Sequence, residues 1–225
     1  MDCADHTPED PPAERQQTPR GELALRRRGA HWELISNGVF LMDTRDGRSA
    51  RRLAEATLAA AWAPRRMLIG GLGVGFTTAA ALAHPGVTDV VVVEIEAAVI
   101  RWQSQHFSAH VGHVQRDPRC QVVHADLVPW LAADRGRFDA VCLDIDNGPG
   151  WTVSAQNAGL YRGAGLDRLV AHLAEGGALG VWSAAADPTF DRALQGRFAT
   201  VHHEEIPVSR GEPDVITVAC SPAKR

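Results

Sequence analysis

The sequence has few cysteines and no long apolar run, and both features narrow the classes of protein to which it can belong. Only four of its 225 residues are cysteine. They lie far apart, with no Cys-x-x-Cys pair and no Cys/His spacing typical of a metal site. No segment approaches the roughly 20 apolar residues that a membrane helix needs. We therefore expect no bound metal, no membrane span and a reducing, cytoplasmic setting.

Positive charge is not in excess either. The formal net charge is −4, with 22% charged and 45% hydrophobic residues, whereas a nucleic-acid partner would require a basic stripe. The arginines cluster at residues 26–28 and 45–52, and we interpret them as solvated surface, with a phosphate or carboxylate site as the alternative. Residues 1–20 contain no apolar stretch of the kind found in secretory signals. The composition thus favours a cytoplasmic protein without a nucleic-acid or membrane partner.

The first 48 residues predict a tail followed by a small β unit. Residues 1–20 contain four prolines and little to bury, which is typical of a disordered tail. In residues 21–48, Asn37-Gly38 separates two strand-like runs, and this dipeptide is a strong signal for a type I′ hairpin. Two or three short antiparallel strands are not stable alone, and their open edges must be covered. We therefore expect the unit to pack against the main domain or another subunit, and the protein to form a homodimer.

Residues 49–225 predict one α/β domain, because strand-like and helix-like patterns alternate along them. The predicted strands span 67–69, 89–93, 120–124, 138–143, 178–182, 200–205 and 215–220, and the predicted helices span 49–62, 76–83, 96–107, 129–133, 163–173 and 188–194. Continuous β-branched runs such as Val90–Val93 are typical of parallel strands that are buried on both faces. The last two strands predict an antiparallel hairpin at one edge. We expect a Rossmann-like, seven-stranded, mostly parallel sheet.

A glycine-rich turn follows the first strand of this domain and opens a helix. It reads Gly70-Gly71-Leu72-Gly73-Val74-Gly75, and we predict that Gly70, Gly71, Gly73 and Gly75 bind a cofactor, because glycines let a ligand approach the backbone. Glu94 ends the next strand, where a carboxylate can accept both ribose hydroxyls of an adenosine ligand. A nicotinamide dinucleotide fits less well, because the Gly-x-Gly-x-Gly spacing is of the methyltransferase type and the chain is too short for an added substrate domain.

Carboxylates follow two further strands. Asp126 can bond an adenine amino group, although it can also cap the next helix, and we include the neighbouring Ile95 and Leu127 in the predicted cofactor site. Asp144 and Asp146 follow the fourth strand and point to the same side of an extended chain. Paired carboxylates can bind an amine or serve as base and orienting group. We therefore predict Asp144 and Asp146 as catalytic residues, with Asp144 also near the cofactor.

Four weaker candidates for substrate binding lie on and beyond the same loop. They are Asn147, Trp151, Asn157 and Tyr161. Each has an ordinary structural alternative, since Trp151 can plug the loop while Asn157 and Tyr161 can begin the next helix. The histidines show no metal-ligand spacing on one helix face, which agrees with the expected absence of a metal.

These segments resemble the spermidine/spermine synthase family (polyamine aminopropyltransferases), a branch of the class I methyltransferase fold. The resemblance covers roughly residues 21–220 and rests on MLIGGLGVG, VVVVEIEAAVI, VVHAD, FDAVCLDIDNGPG and LYRGAGLDRLVAHLAEGGALGVW. It implies a small N-terminal β domain, which matches residues 21–44. It also implies that Glu94 binds the ribose, that Asp126 binds the adenine, and that Asp144 helps to deprotonate the attacking amine.

The sequence departs from this family at four places. Val74 stands where the family has an aspartate in the glycine loop, and residues 144–149 replace the family's Asp-Ser-Ser-Asp-Pro loop. Residues 49–55 do not match the family's Tyr-His-Glu segment, and residues 206–211 stand in place of its Pro-Thr-Tyr-Pro-Ser-Gly segment. In the family these places help to hold the diamine and the aminopropyl group. The resemblance therefore implies a conserved adenosine site beside an altered polyamine site.

The favoured prediction is a transferase that uses S-adenosylmethionine to methylate a small-molecule acceptor. Asp144 would be the base or amine anchor, helped by Asp146. Val74 favours the carboxylated donor, because it replaces an aspartate that could bind the donor's amine. The main alternative is a polyamine aminopropyltransferase of the spermidine synthase type that uses decarboxylated S-adenosylmethionine. Two further alternatives are a cyclisation enzyme assisted by S-adenosylmethionine and a non-catalytic nucleotide-binding protein.

Overall fold

The computed structural model describes residues 13–133, 135–145, 147–152, 157–208 and 211–222. The chain divides into two compact units, residues 1–46 and residues 47–225. The sequence predicts this boundary between residues 48 and 49, two residues further along the chain than the structure has it. No helix among the described residues is both long enough and apolar enough to cross a membrane.

The N-terminal unit is a four-stranded antiparallel sheet in the order β1-β2-β3-β4. Its strands are β1 (Glu14–Thr18), β2 (Gly21–Arg28), β3 (His31–Ser36) and β4 (Val39–Asp43). Between β3 and β4, Asn37 and Gly38 have φ values of 51° and 79°. Positive φ at both positions is what a type I′ turn requires, so the predicted hairpin is confirmed.

Strand β1 lies inside the segment that we predicted as a disordered tail. All five of its residues pair with β2, from Glu14 opposite Leu25 to Thr18 opposite Gly21. Composition misled the prediction, because β1 joins the sheet through backbone hydrogen bonds and buries little of its polar side chains. Residues 1–12 of the predicted tail lie outside the described residues.

Part of the arginine cluster is an ion-pair network rather than solvated surface. Glu33 on β3 is 5% exposed and accepts hydrogen bonds from Arg26 at 2.9 Å and from Arg45 at 2.5 Å. Burial alone would raise the pKa of Glu33, but the bonds from Arg45 and Arg26 hold it below its ordinary value. The interpretation of these two arginines as solvated was therefore too simple.

The second unit contains a seven-stranded sheet in the order β10-β11-β9-β8-β5-β6-β7. The strands are β5 (Arg66–Gly70), β6 (Asp89–Glu94), β7 (Cys120–His124), β8 (Phe138–Leu143), β9 (Leu173–Ser183), β10 (Phe198–Ile206) and β11 (Asp214–Pro222). The five strands β5 to β9 pair in parallel, and β11 is antiparallel to both β9 and β10. The predicted α/β fold, its mostly parallel sheet and the hairpin at one edge are confirmed.

Seven α-helices connect the described strands of this unit. They are α1 (Arg48–Ala60), α2 (Phe76–Ala83), α3 (Ala97–Trp102), α4 (Ser108–Val111), α5 (Leu127–Trp130), α6 (Gly163–Ala171) and α7 (Pro188–Gln195). The segment Gln103–Phe107 joins α3 to α4 as a π-helical turn. Helix α1 packs on α2 and on the strands β8, β9 and β11, while α6 and α7 contribute Leu166, Leu169, Phe190 and Leu194 to the main apolar core.

Two predicted elements are displaced. Helix α5 begins at Leu127 rather than at residue 129, because the Asp126 side chain accepts the backbone N–H of Val128 and caps the helix there. Strand β9 begins at Leu173, where we predicted the end of a helix, and its pairing with β8 shifts register between Phe138 and Ala140. This irregularity hides the start of the strand from a period-two pattern.

Candidate active site

The predicted site residues meet at one edge of the sheet, because the carboxyl ends of parallel strands point the same way. The glycine turn follows β5, Glu94 is the last residue of β6, Asp126 follows β7 and Asp144 follows β8. Pairing of Gly70 with both Val93 and Leu143 brings the ends of these three strands level. All of these residues belong to the second unit.

The glycine turn is pressed against the exit of β8. The Asp144 backbone N–H donates to the Gly70 carbonyl at 2.9 Å. Gly71 has a φ of +89°, and a Cβ atom there would lie 2.2 Å from the carbonyl oxygen of Asp144. Only glycine satisfies both the backbone conformation and the close approach. The turn thus places Asp144 directly beside the predicted cofactor site.

Glu94 connects the end of β6 to the same turn. Its side chain is 7% exposed; Oε2 accepts the Leu72 N–H at 2.8 Å and Oε1 accepts the Glu96 N–H at 2.8 Å. Burial raises the pKa of Glu94, and the backbone bonds oppose that rise. The two carboxylate oxygens have four lone pairs together, and the backbone N–H groups of Leu72, Glu96 and Gly73 act on three of them, so one acceptor position is left for a ribose hydroxyl.

Asp126 caps a helix with one carboxylate oxygen and leaves the other available to a ligand. Oδ1 caps α5 through the Val128 N–H at 2.9 Å, while Oδ2 has no hydrogen-bond partner within the described ranges and can accept an adenine amino group.

The next residue, Leu127, is 5% exposed and lies against Gly70, where a Cβ atom would come within 2.7 Å of its Cδ2. Ile95 follows Glu94, and its carbonyl lies 3.1 Å from the His124 ring.

Asp144 is held by a threonine of α2. The hydroxyl of Thr77 donates to Oδ2 of Asp144 at 2.7 Å. Burial raises the pKa of the Asp144 carboxyl, the Thr77 bond lowers it, and the nearby Asp214 carboxylate raises it further. A carboxylate whose pKa is raised is a stronger base than an ordinary surface aspartate. The second predicted catalytic residue, Asp146, lies outside the described residues.

The four weaker candidates fall into different surroundings. Asn147 accepts the Ala184 N–H through its carbonyl at 2.9 Å, which ties the loop to the end of β9. Trp151 is 62% exposed, so its indole is available to a ligand. Asn157 begins a short 3₁₀ turn. Tyr161 is 4% exposed and packs edge-on against Phe190 at 5.8 Å, which places it in the apolar core.

Three residues near these side chains were not among the site residues predicted from the sequence. Thr77 contacts Asp144 from α2, Asp214 acts on it from the start of β11, and the Arg51 guanidinium of α1 lies 4.2 Å from the ring centroid of Phe76. None belongs to a recognisable motif, because the contacts join segments that are 67 residues apart for Thr77 and Asp144. A polar side chain at the start of a helix after a glycine turn is the one signal that could have indicated Thr77.

The arrangement suits a nucleoside ligand with a reacting group beside Asp144. Glu94 and Asp126 offer acceptors for ribose and adenine, and Asp144 can accept a proton. Within the described ranges, no group of three or more histidine, cysteine, aspartate or glutamate side chains is placed to hold a metal ion.

Comparison with known sequences gives a consistent family. The model of the spermine/spermidine synthase domain matches residues 49–186. A polyamine aminopropyltransferase from Sodalis glossinidius is 31% identical over 107 residues, which cover 47% of this chain and 37% of that protein. Putrescine N-methyltransferase 1 from Nicotiana tabacum is 33% identical over 82 residues, covering 36% and 22% of the two chains. The matched regions thus span 37% and 22% of these two curated relatives.

Solved structures show the same fold. A spermidine synthase in complex with the transition-state analogue AdoDATO superposes with a TM-score of 0.78 at 18% identity, covering 93% of this chain and 73% of that one. Human methyltransferase-like protein 13 in complex with SAH superposes with a TM-score of 0.57 at 18% identity, covering 80% and 81%. With more than half of its length matched by the family model, this chain belongs to the spermine/spermidine synthase family.

Proposed function

We propose that this protein transfers an aminopropyl group from decarboxylated S-adenosylmethionine to a small-molecule amine. The observation that supports this proposal most strongly is the position of Asp144. Its carboxylate is desolvated, and its backbone N–H bonds to the Gly70 carbonyl of the glycine turn at 2.9 Å. The curated relatives named polyamine aminopropyltransferases support this choice of group. Methyl transfer, which the sequence favoured, gains no specific support from them, and the aminopropyl alternative fits them better.

The chemistry asks little of the protein beyond alignment and proton uptake. A bound sulfonium donor supplies an electrophilic carbon next to its positive sulfur. Glu94 and Asp126 would hold the adenosine part and fix that carbon at the sheet edge, and alignment of this kind can lower a reaction barrier by about 7–11 kcal/mol. Asp144 would accept the proton that the attacking nitrogen releases as the new bond forms.

One observation favours methyl transfer from the carboxylated donor as a second candidate. Val74 is apolar and 4% exposed, so the glycine turn offers no acid for the amine of the donor's tail. Phe76 lies two residues after Val74, and the Arg51 guanidinium lies over its ring. Within the described part of the chain, no carboxylate pairs with Arg51. A cation without an acid partner suits a donor that keeps its carboxylate.

Product analysis separates the two candidates. The full chain is incubated with either donor and a panel of monoamines, diamines and polyamines, and the nucleoside product is identified by mass spectrometry. Aminopropyl transfer yields methylthioadenosine from the decarboxylated donor, whereas methyl transfer yields S-adenosylhomocysteine from the carboxylated one. Consumption of the donor without any acceptor would support the cyclisation alternative. Binding without turnover would support the non-catalytic one and overturn both transfer proposals.

Two variants connect the outcome to the site. Asp144→Asn should reduce turnover by roughly 100-fold or more, because general-base catalysis contributes on that order, while donor binding persists. Glu175→Gln is the matched control, since Glu175 is exposed near the opposite end of β9. Arg51→Met should weaken binding of the carboxylated donor by about 10-fold or more and leave the decarboxylated donor unaffected. Equal effects on both donors would remove the argument for the second candidate.

A further inference from the structure

Thr77 places one hydroxyl between two acceptors from different elements. The residue lies in the first turn of α2 and is 2% exposed. Its Oγ1 atom is 2.7 Å from Oδ2 of Asp144 and 3.2 Å from the carbonyl oxygen of Ala50 in α1. Both distances lie within the range of a hydrogen bond, but the hydroxyl carries one hydrogen.

Counting protons shows when both contacts can be hydrogen bonds. A threonine hydroxyl donates once and can accept twice, an ionised carboxylate can only accept, and a backbone carbonyl can only accept. While Asp144 is ionised, Thr77 must donate to it, and the Ala50 carbonyl receives no hydrogen from Thr77. Once Asp144 is protonated, its carboxylic acid can donate to Oγ1, and the Thr77 hydrogen is free for Ala50. Both contacts are satisfied together only in the protonated state.

We propose that Thr77 is a positioning residue that turns its hydrogen from Asp144 to the Ala50 carbonyl when Asp144 takes up a proton. The hydroxyl thereby keeps a hydrogen bond to Asp144 in both protonation states, so the carboxyl group stays in place throughout the proton transfer. The same rotation adds a bond between α2 and the first turn of α1. The protonation state of the base is in this way coupled to a neighbouring helix.

The groups around Asp144 determine the direction of its titration. Burial raises its pKa, the Thr77 bond lowers it, and Asp214 on β11 raises it. Two residues before Asp144, on β8, lies the Cys142 thiol. Burial raises the pKa of Cys142 to about 12, a hydrogen bond to Thr57 lowers it, and the charge of Asp144 raises it further. Cys142 therefore stays neutral through the titration of Asp144. Loss of the Thr77 bond should move the Asp144 pKa upward.

The inference rests on the proposed function only for the source of the proton. During transfer, the N–H bond of the acceptor amine breaks, its electron pair stays on the nitrogen, and a new O–H bond forms on Asp144. Acidification of the solvent produces the same carboxylic acid without donor or acceptor. The coupling can therefore be measured in the protein alone, independently of any turnover.

An NMR titration of the full, isotope-labelled chain tests the coupling. We follow the side-chain carboxyl ¹³C of Asp144 and the backbone carbonyl of Ala50 with the Arg51 amide that shares its peptide group. In the wild type, both should titrate with one midpoint. In Thr77→Val, the Ala50 and Arg51 signals should no longer follow Asp144, whose midpoint should rise by about one pKa unit, as expected for loss of a hydrogen bond to a charged group.

Two further variants exclude a purely structural effect. Thr77→Ser keeps the hydroxyl and should restore both the shared midpoint and the coupling. Thr78→Val makes the same chemical change at the next position, where the hydroxyl is buried and has no partner among the described residues, and it should titrate as the wild type does. Continued titration of Ala50 in Thr77→Val, or an unchanged Asp144 midpoint there, would overturn the inference. Failure of every amine as acceptor, with the coupling intact, would instead refute the proposed function alone.

Discussion

Glu94 and Asp144 are carboxylates that the fold holds away from water at the ends of β6 and β8. For both, burial is the largest influence and raises the pKa. A raised pKa in the folded state means that folding favours the protonated form. Each group therefore stabilises the fold below the ordinary carboxyl pKa, and that contribution is lost as the pH rises through the raised value. The site keeps these charges at a cost in stability.

We predict that Asp144→Asn raises the melting temperature at neutral pH. The amide keeps the size of the side chain and an oxygen that can accept the Thr77 hydrogen, but it has no charge to desolvate. The gain should shrink as the pH falls towards the ordinary carboxyl pKa, where the wild-type group is neutral in both states. Calorimetry over a pH series measures it, with Glu175→Gln as the exposed control. A gain that is independent of pH would contradict the electrostatic explanation.

We also predict opposite effects from two buried threonines. Thr78 has a hydroxyl without a partner among the described residues, so Thr78→Val should raise the free energy of unfolding by about 1 kcal/mol. Thr57 donates to the Leu53 carbonyl at 2.7 Å, so Thr57→Val should lower it by about 1 kcal/mol. Urea unfolding measures both variants. Destabilisation by Thr78→Val would indicate a hydrogen bond that the described contacts do not include.

At the scale of elements, the glycine turn depends on Gly71 for space as well as for conformation. A Cβ atom at Gly71 would collide with the Asp144 carbonyl, whereas at Gly112, with a φ of +80°, it would meet nothing within 4 Å. We predict that Gly71→Ala lowers the free energy of unfolding by roughly 3 kcal/mol and Gly112→Ala by roughly 1 kcal/mol. Urea unfolding of both variants checks this. Equal losses would mean that conformational strain alone explains them.

The sequence predicted best those elements whose apolar pattern is regular. Strands β7 and β8 and helix α2 begin and end at the predicted residues, because buried β-branched runs or a glycine turn mark them. Strand β1 was missed, since its polar side chains carry no pattern and only its pairing with β2 makes it a strand. The π-helical turn at Gln103–Phe107 was also missed, because it keeps an ordinary helical composition. Local patterns report burial, whereas β1 depends on its pairing with β2.

At the scale of the whole molecule, the sequence predicted correctly where the candidate acids lie on the strands, but it did not predict the contacts between them and other segments. Glu94, Asp126 and Asp144 follow their strands as predicted, because strand ends in a parallel sheet share one edge. Thr77 and Asp214 reach Asp144 from a helix and from the last strand, and no local spacing records such contacts. Sequence reasoning thus located the candidate acids and missed the two groups that adjust the pKa of Asp144.

We predict that the protein forms a homodimer through the N-terminal sheet. Strand β4 is an edge of that sheet, and it exposes Val39 by 49% and Phe40 by 54%; apolar edge strands associate readily. Light scattering should give about twice the chain mass of 24.2 kDa. Phe40→Glu should shift the mass towards the monomer, whereas Trp62→Glu, at a residue that is 74% exposed, should not. A monomeric wild type would refute the prediction.

Trp151 places a fluorescent indole on the loop after Asp144. The chain has six tryptophans, among which Trp151 is 62% exposed while Trp102 is 1% exposed. Collisional quenchers such as acrylamide reach an exposed indole and not a buried one. A ligand that covers Trp151 would shield part of the emission from quenching and shift it to shorter wavelength. The protein therefore carries its own fluorescent reporter of occupancy on the loop that follows the candidate base.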